Sequence, residues 1–388
     1  MTMDHEQYAL VSERFGRVSR RGLLRAGGLG LTGAGAALLF GCGDDETKPL
    51  PSEPLPPPEV THLRFTPSND ICIAPMYVAG LYLSEEGFTK VEYVKDATHI
   101  DDLGRLIDFN YDFASSIVLN ANAGKKFKVL GGMHAACFEL LVTRDDIATI
   151  ADLRGKKIAT DQQVDSGAPN FVSALLSYIG MPTDQALVFV KTGELAARLR
   201  SGEIDAALTV PPVGDLLRAA NVRKVVLDSS TDKPFSQYYC CMLEASPQFV
   251  ARNPVATKRV LRAVLRGADL CASDPERAAR YLVDNGHTQW LTDELVQMSG
   301  MDRYNLTLAT VRHLPYNVWR RFDPEDSLRF YALRMRDAGA VKVTPDELIR
   351  RVTDWRFYNE LKREMPMAFA PSSSRFGLDC AIGPAERA

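Results

Sequence analysis

The chain has 388 residues, 46% of them hydrophobic, and a formal net charge of −3 at neutral pH. This length allows one large core or two lobes, and the nearly balanced charge without a basic stripe argues against a nucleic acid partner. Only seven residues are cysteine, and two of them are adjacent at 240 and 241. They could form a metal or redox site, or pack as two small apolar residues in a strand.

Residues 1–41 have the pattern of an export signal. A basic segment with Arg20 and Arg21 precedes a mildly apolar run rich in glycine and alanine, which is too short and too weakly hydrophobic for a membrane span. The arginine pair resembles a twin-arginine translocation motif, and L-F-G-C resembles a lipobox that ends at the lipidated Cys42. The alternative is a small residue near an ordinary cleavage site. Acyl chains on Cys42 would anchor a periplasmic domain, or one at the outer face of the cytoplasmic membrane, to the lipid surface.

Residues 42–60 have the composition of a tether. Six prolines occur among the 18 residues after Cys42, which predicts an extended, polyproline-like segment with little to bury. A folded region is expected from residue 61 to residue 367. A loose tail, which includes P-S-S-S, is expected over 368–388.

The folded region alternates strand-like and helical segments. In the first block, L-R-F-T-P and V-E-Y-V-K flank a predicted helix over A-P-M-Y-V-A-G-L-Y-L-S-E-E-G-F, and a helix around 100–106 precedes the strand K-V-L-G-G-M. A second block begins at I-A-D-L-R-G-K-K-I-A-T and predicts helices over 171–179 and near 194–201. This order predicts an α/β fold with mostly parallel sheets and helices on their faces.

Apolar residues recur with helical periodicity from residue 254 to residue 364. P-V-A-T-K-R-V-L-R-A-V-L-R-G-A-D-L-C-A predicts one amphipathic helix that begins at Pro254, a position that proline tolerates well. The region therefore predicts a helical C-terminal part.

Several of these segments resemble a known family. A-P-M-Y-V-A-G with E-E-G-F, I-A-D-L-R-G-K-K-I-A-T, G-E-I-D-A-A-L and the stretch from F-V-A-R-N-P to A-A-R-Y-L-V-D resemble periplasmic solute-binding proteins of ABC importers, of the nitrate/sulfonate/taurine type. These proteins share a superfamily with the hydroxymethylpyrimidine synthases of thiamine biosynthesis. The resemblance covers about residues 63–361. It implies a two-lobed periplasmic binding protein of type II, whose lobes close by hinge motion on a small molecule.

On this fold, lobe I is expected to comprise residues 61–148 and 237–367, and lobe II residues 149–236. Ligands of open α/β sheets lie beyond the C-terminal strand ends, where helix N-termini present free N–H groups. Turns at 66–75, 112–116, 161–170 and 209–212 fit such positions, although each residue taken singly also suits an ordinary cap or turn. The candidate ligand-binding residues are Asn69, Asp70, Cys72, Ser115, Ser116, His134, Ser166, Gly167, Ala168, Pro211 and Tyr238.

His134 lies in G-G-M-H-A-A-C-F-E, where the resemblance places a strand returning along the first lobe. Its imidazole could bind the ligand and titrate near neutral pH, or it could be a buried ring bonded to the backbone. Cys137 follows three residues later, and Cys72 is the only other thiol in this part of the chain. Because C-x-x-C and H-x-x-x-H spacings are absent, neither a metal site nor a cofactor is predicted.

Cys240 and Cys241 are expected to pack in a crossing strand. Neighbouring side chains of a strand point to opposite faces, so the two thiols cannot easily chelate one ion, and a disulfide between them would be strained. The pyrimidine synthases carry a longer cysteine cluster near this place, of which two positions match. They also carry, in the first-lobe turn, a histidine that they consume as substrate. This chain has S-N-D-I-C at that place and no histidine. A lipoprotein signal also fits poorly with biosynthesis that depends on pyridoxal phosphate, so a protein that is not an enzyme is predicted.

Three functions stay open on the sequence. The favoured one is a monomeric, membrane-tethered binding protein that delivers a small organic solute to the permease of an ABC importer. The others are a pyrimidine-synthase-like enzyme of thiamine precursor metabolism and a ligand-sensing partner of a membrane signalling protein.

Acidic residues in the predicted turns bear on the ligand's charge. They favour a neutral or cationic heterocycle or amine over a strong anion, although carboxylates at turns are often caps that face solvent. The acidic residues and the aromatic residues on which such a ligand could stack are Asp70, Asp112, Asp161 and Asp165, with Phe113, Tyr238 and Tyr239.

Overall fold

The computed structural model describes residues 56–68, 71–95, 97, 99–161, 167–180 and 187–365. The predicted export signal with Arg20 and Arg21, the lipidation residue Cys42, most of the tether and the predicted tail at 368–388 lie outside the described residues. No helix in the described ranges is long and apolar enough to cross a membrane.

The strands of the described residues form two five-stranded sheets, with the orders β2-β1-β3-β10-β4 and β7-β6-β8-β5-β9. Their bounds in chain order are β1 His62–Phe65, β2 Lys90–Tyr93, β3 Phe109–Phe113, β4 Lys128–Ala135, β5 Glu139–Val142, β6 Ile158–Thr160, β7 Leu187–Phe189, β8 Ala206–Thr209, β9 Lys224–Asp228 and β10 Tyr239–Ala245.

All strands of each sheet except one run in the same direction. β1 pairs in parallel with β2 and β3, and β6 pairs in parallel with β7 and β8. The exceptions are β10, which is antiparallel to β3 and β4, and β5, which is antiparallel to β8 and β9. Both exceptions are the first strand after the chain changes sheets, so they enter their sheets from the opposite end. The predicted α/β fold with mostly parallel sheets is confirmed.

The chain crosses between the sheets twice, through residues 136–138 and residues 229–238. We call these the first and second crossings, and we call residues 56–135 with 239–365 lobe I and residues 139–228 lobe II. Strand pairing assigns Glu139–Val142 to the second sheet, before the boundary proposed at residue 149. Only three residues separate β4 from β5, and no helix or turn signal there marks the change of sheet.

The helices include a continuous series over the C-terminal part, as predicted. Their bounds are α1 Ala74–Val78, α2 Gly80–Leu83, α3 Ala114–Asn122, α4 Gly167–Tyr178, α5 Thr192–Ser201, α6 Val213–Ala219, α7 Pro247–Arg252, α8 Pro254–Ser273, α9 Pro275–Asp284, α10 Asp293–Ser299, α11 Arg303–His313, α12 Pro324–Asp337, α13 Pro345–Val352 and α14 Arg356–Glu364.

Two predicted helices differ from the structure. The helix expected over 74–88 consists of α1 and α2, with Ala79 between them at helical dihedral angles (φ −53°, ψ −25°). The helix expected around 100–106 is a short 3-10 helix, His99–Asp102. It ends before Gly104, whose φ of +85° belongs to the left-handed region, and this conformation is incompatible with continued right-handed helix.

The amphipathic helix α8 supports the core of lobe I. It begins at Pro254, as predicted, and it buries an apolar face that includes Val260, Leu261, Val264 and Leu265. Burying an aliphatic side chain of this size contributes about 1.5–3 kcal/mol. This helix packs closely against α1, which directly follows the first predicted ligand turn, and thereby fixes the position of that turn.

Candidate functional site

The predicted ligand turns lie at strand-to-helix junctions. The helix that next follows β1, β3, β6 or β8 in the chain is α1, α3, α4 or α6, respectively. Gly167 and Ala168 begin α4, and Pro211 is buried after β8 and joined to Pro212 by a cis peptide bond. Three other candidates, Asn69, Asp70 and Ser166, lie outside the described residues, as does Asp165.

The turns of the two lobes meet at α3 and α4. Ser115 and Ser116 are buried in the first turn of α3, and Asn170 Nδ2 of α4 donates a 2.6 Å hydrogen bond to Ser116 Oγ. Asp112, at the end of β3, accepts hydrogen bonds from the Phe113 amide and from an asparagine of α3. Burial outweighs these bonds and raises the pKa of Asp112 to about 7. The structure therefore joins the predicted polar residues of lobe I to the N-terminal turn of a lobe II helix.

A small cavity lies where the two crossings meet. Its volume is about 10 Å³, which is enough for about one water molecule. Both crossings and both lobes contribute to its lining. The lining residues are Ala136 and Phe138 of the first crossing, Ser229, Phe235 and Tyr238 of the second crossing, Phe171 of α4, Cys240 of β10 and Tyr331 of α12.

Aromatic rings close this cavity. Phe138 stacks on Phe171 with ring centroids 4.3 Å apart, and Phe235 meets Phe171 edge-on. Tyr238 is half-buried and stacks on Phe330 at 4.2 Å. Such ring pairs contribute about 0.5–1.5 kcal/mol beyond the area they bury. The rings therefore join the crossings to helices of both lobes.

The sequence identified few of these aromatic residues. Tyr238 was a candidate and lines the cavity, whereas Tyr239 lies elsewhere, with its hydroxyl 2.7 Å from that of Tyr358 in the core. Phe171 directly follows a predicted turn, and Phe138 lies within the segment that contains His134, so both could have been found. Tyr331 carries no local signal, because only the packing of α12 brings it to the crossings.

A cluster of buried thiols and one imidazole lies beside the cavity. Cys72, from the 3-10 helix Ile71–Ile73, lies with His134 of β4 and Cys241 of β10, and one ligand atom from each falls within 4.8 Å of the others. Cys137 Sγ lies 2.7 Å from Cys240 Sγ. All five side chains are buried. Cys240 lines the cavity, so the cluster and the candidate ligand site share a wall.

Strand β10 is irregular at the two adjacent cysteines. The pairing of β10 with β4 shifts register on both sides of Cys241, and such irregularities disturb the regular alternation of side chains. Cys241 lies with Cys72 and His134, whereas Cys240 is not part of that group and its thiol lies 2.7 Å from that of Cys137. The two cysteines are buried in a strand, as predicted, and they also belong to a larger cluster.

His134 is held by the backbone through one ring nitrogen. Its Nδ1 lies 3.0 Å from the carbonyl oxygens of both Ala135 and Ala136. Nε2 is buried, and it has no well-oriented hydrogen-bonding partner in the part of the chain that the structure describes. The expectation of a buried ring bonded to the backbone therefore holds for Nδ1. Nε2 is the ring atom that remains available for another role.

The cluster also favours charge separation. Hydrogen bonds from Cys137 and Cys241 hold the pKa of Cys72 well below its usual value, and His134 acts in the same direction. Burial lowers the pKa of His134, but its interaction with Cys72 outweighs burial and raises that pKa to about 9. Cys72 and His134 therefore each favour the charged form of the other.

Comparison with known structures concerns the fold. The periplasmic nitrate-binding protein NrtA from Synechocystis PCC 6803 matches with a TM-score of 0.58 and 16% identity, over 80% of this chain and 90% of that chain. The periplasmic aliphatic sulphonate binding protein SsuA from Escherichia coli matches with a TM-score of 0.55 and 17% identity, over 76% and 92%. The desulfurization enzyme DSZB matches with a TM-score of 0.51 and 13% identity, over 79% and 100%. The predicted two-lobed periplasmic binding protein fold is thereby confirmed.

No curated protein matches the chain significantly. A family model described as NMT1/THI5 like matches residues 75–278. The match includes both crossings and every described residue of lobe II, and it extends over more than half of the chain. The chain therefore belongs to the NMT1/THI5-like family.

Proposed function

We propose that this chain is the substrate-binding lipoprotein of an ABC importer, which captures a small organic solute between its lobes and delivers it to a membrane permease. The observation that carries this proposal is the cavity lined by both lobes and both crossings. A solute there would contact every part that must move when the lobes separate, so binding would favour the closed arrangement. The fold shared with the nitrate-binding and sulphonate-binding proteins supports the same function.

The cavity favours an uncharged, ring-containing solute. Its lining residues in the described structure are aromatic, aliphatic, hydroxyl or thiol side chains, and none carries a fixed charge. Ser229 Oγ accepts hydrogen bonds from the amides of Cys137 and Phe138, at 3.2 and 2.9 Å, which leaves its own proton available to a ligand. A flat heterocycle stacked between rings would use these groups, whereas an anion would find no positively charged side chain among the lining residues.

Entry of the solute requires motion. A cavity of about 10 Å³ is too small for an organic molecule, so the lobes must separate or the rings of Phe171 and Tyr238 must turn. The hydrogen bond between Asn170 and Ser116 joins the lobes near the cavity and must break if α3 and α4 separate. We infer that the structure is the closed arrangement of a hinge whose two crossings bend.

A ligand screen with matched variants tests the proposal. Purified protein is screened by thermal shift against uncharged heterocycles, amines, aromatic acids and sulfonates, and each hit is titrated by calorimetry. Tyr238→Ala and Phe171→Leu should weaken a hit at least about tenfold, since each removes a stacking contact worth about 1–3 kcal/mol with its buried area. Tyr304→Ala is the control, because Tyr304 is also half-buried and has a partner, Arg280, but lies on α11. Wild-type affinity in both cavity variants would place the solute elsewhere.

The fate of the bound solute separates a binding protein from an enzyme. Mass spectrometry of each hit after prolonged incubation with the protein should recover it unchanged. A product formed by the wild-type protein and lost in the Tyr238→Ala variant would instead support an enzyme. Deletion of the gene should reduce cellular uptake of the solute if the protein serves an importer, and unchanged uptake would contradict delivery to a permease.

Export and anchoring form part of the same proposal. Replacing Arg20 and Arg21 by lysine should trap the precursor inside the cell, and Cys42→Ala should release the exported domain from membranes. Cell fractionation with immunoblotting measures both effects. Unchanged export would indicate another route, and persistent membrane association of Cys42→Ala would rule out the lipid anchor.

A further inference from the structure

We propose that Cys72, His134 and Cys241 form a binding site for one thiophilic metal ion of the Zn²⁺ or Cu⁺ class beside the solute cavity, with Cys137 as the fourth ligand if the ion is Zn²⁺. This proposal does not depend on the identity of the solute or on the importer. It rests on the positions of the ligand atoms and on the unsatisfied nitrogen of His134.

The ligands come from three separate elements. Cys72 precedes α1, His134 and Cys137 lie at the end of β4 and in the first crossing, and Cys241 lies in β10. β4 and β10 are neighbours, and Cys241 is paired directly with His134. The sheet therefore fixes two ligands relative to each other, and the helix α8, packed against α1, holds the third. Ligands placed on packed elements of this kind form a preorganised site.

His134 has the orientation of a metal ligand. A histidine that binds a metal through one nitrogen usually donates the other N–H to a carbonyl or carboxylate, which fixes the ring and its tautomer. Here Nδ1 donates towards the carbonyls of Ala135 and Ala136. Nε2 remains buried without a well-oriented partner among the described residues. A metal bond would supply this buried nitrogen with a partner.

The distances require only a small contraction. The ligand atoms of Cys72, His134 and Cys241 lie within 4.8 Å of one another. Sulfur atoms bound to one tetrahedral zinc ion at about 2.3 Å each are separated by about 3.8 Å. Rotation of side chains can supply a difference of this size. Cys137 lies outside this group, with its thiol 2.7 Å from that of Cys240, so its side chain must rotate to supply a fourth ligand.

The ligand chemistry selects the metal. Thiolates with one imidazole are soft donors, which favour Zn²⁺ and Cu⁺ over Mg²⁺ or Ca²⁺. Four protein ligands suit tetrahedral Zn²⁺, whereas Cys72, His134 and Cys241 alone suit Cu⁺. The site is closed to solvent, because Cys72, His134 and Cys241 are each 0% exposed. A closed site of this kind is structural, so the ion would link β4, β10 and the first ligand turn.

Direct titration tests the site. Reduced, metal-free full-chain protein is titrated under anaerobic conditions with Zn²⁺ and, separately, with Cu⁺, each in competition with a chromophoric chelator. We expect one equivalent of ion per chain, with an increase in melting temperature on binding. X-ray absorption of the wild-type complex should show two or three sulfur ligands and one imidazole nitrogen. This measurement needs no variant. The ion that fills the site completely is the metal that the site prefers.

Variants assign the ligands. Cys72→Ala and Cys241→Ala should each weaken binding at least about 100-fold, because each removes a bond to the ion. Cys271→Ala is the matched control, since Cys271 is equally buried but lies in α8, and it should bind as the wild type does. Circular dichroism of the metal-free variants establishes that they are folded.

Three results would overturn the proposal. The first is that neither ion binds the wild-type protein stoichiometrically, and the second is that Cys72→Ala and Cys241→Ala bind as tightly as the control. The third is a spectrum of the bound ion without sulfur ligands. If Cys137 and Cys240 instead form a disulfide that survives treatment with a reductant, Cys137 cannot be a ligand and the four-ligand assignment is wrong.

Discussion

The contact between α8 and α1 provides a sharp test of the packing argument. A Cβ added to Gly267 would lie 2.3 Å from the carbonyl oxygen of Pro75 and 3.1 Å from the amide nitrogen of Ala79. Both atoms belong to the backbone, so no side chain can rotate away, and α8 would have to move away from α1 by nearly 1 Å. Overpacking of this kind costs about 1–3 kcal/mol, with backbone shifts at the upper end.

Helix propensity acts in the opposite direction. Alanine is favoured over glycine inside a helix by about 1 kcal/mol, so Gly267→Ala would stabilise the protein if no atom lay in the way. With a packing cost near 3 kcal/mol, the net loss of unfolding free energy should be about 2 kcal/mol. The sign of the measured change therefore decides which effect is larger.

Thermal and urea unfolding of the full chain measure this change. Gly267→Ala should lower the melting temperature by several degrees, since about 1 kcal/mol corresponds to about 2–4 °C in a domain of 150–250 residues. The control is Ala272→Gly, an exposed position of the same helix, where only propensity changes and a loss of no more than about 1 kcal/mol is expected. If Gly267→Ala proves as stable as the wild type, or more stable, the reasoning about this contact is refuted.

Two further predictions concern buried polar groups. Burial raises the pKa of Glu244 well above 4.5, so the stability that this neutral carboxyl provides is lost as pH rises above the unfolded value of about 4.5. Glu244→Gln keeps an acceptor for the Asn110 amide, and its melting temperature should increasingly exceed that of the wild type as pH rises above about 5; parallel melting curves would contradict this. Ser116→Ala removes the bond from Asn170 and should speed hydrogen exchange at the starts of α3 and α4 by about fivefold, from a loss near 1 kcal/mol. The control Ser177→Ala loses only a bond within α4, and equal exchange in both variants would show that the bond between the lobes contributes nothing.

Local sequence patterns predicted much of the fold. The alternation of β-branched and aromatic runs with amphipathic stretches identified the α/β order, and Pro254 marked the start of α8 as the structure has it. The strand-to-helix turns were also predicted, because glycine, serine and asparagine after an apolar strand signal the chain's exit from a sheet. Patterns that depend on neighbours a few residues apart are readable without knowledge of the tertiary structure.

The change of sheet after β4 was not readable in the same way. β4 and β5 form almost one extended run, and nothing in the residues at 136–138 shows that the chain leaves one sheet for the other. Strand partners are chosen by pairing over long sequence separations, such as Glu139 with Thr209 and with Asp228. Periodicity along one segment carries no information about such partners.

The sequence by itself identified two α/β blocks, predicted polar turns at their strand ends, and singled out His134, Cys72 and Tyr238 as candidate ligand-binding residues. Only the tertiary structure decided where those residues lie relative to one another. Cys72 and Cys241 are far apart along the chain, and they meet because α8 positions α1 while β10 inserts between β3 and β4. The register shift at Cys241 then turns its thiol towards Cys72 and His134. The sequence could not show this grouping, because the pairing of strands that are far apart along the chain has no signature in local spacing.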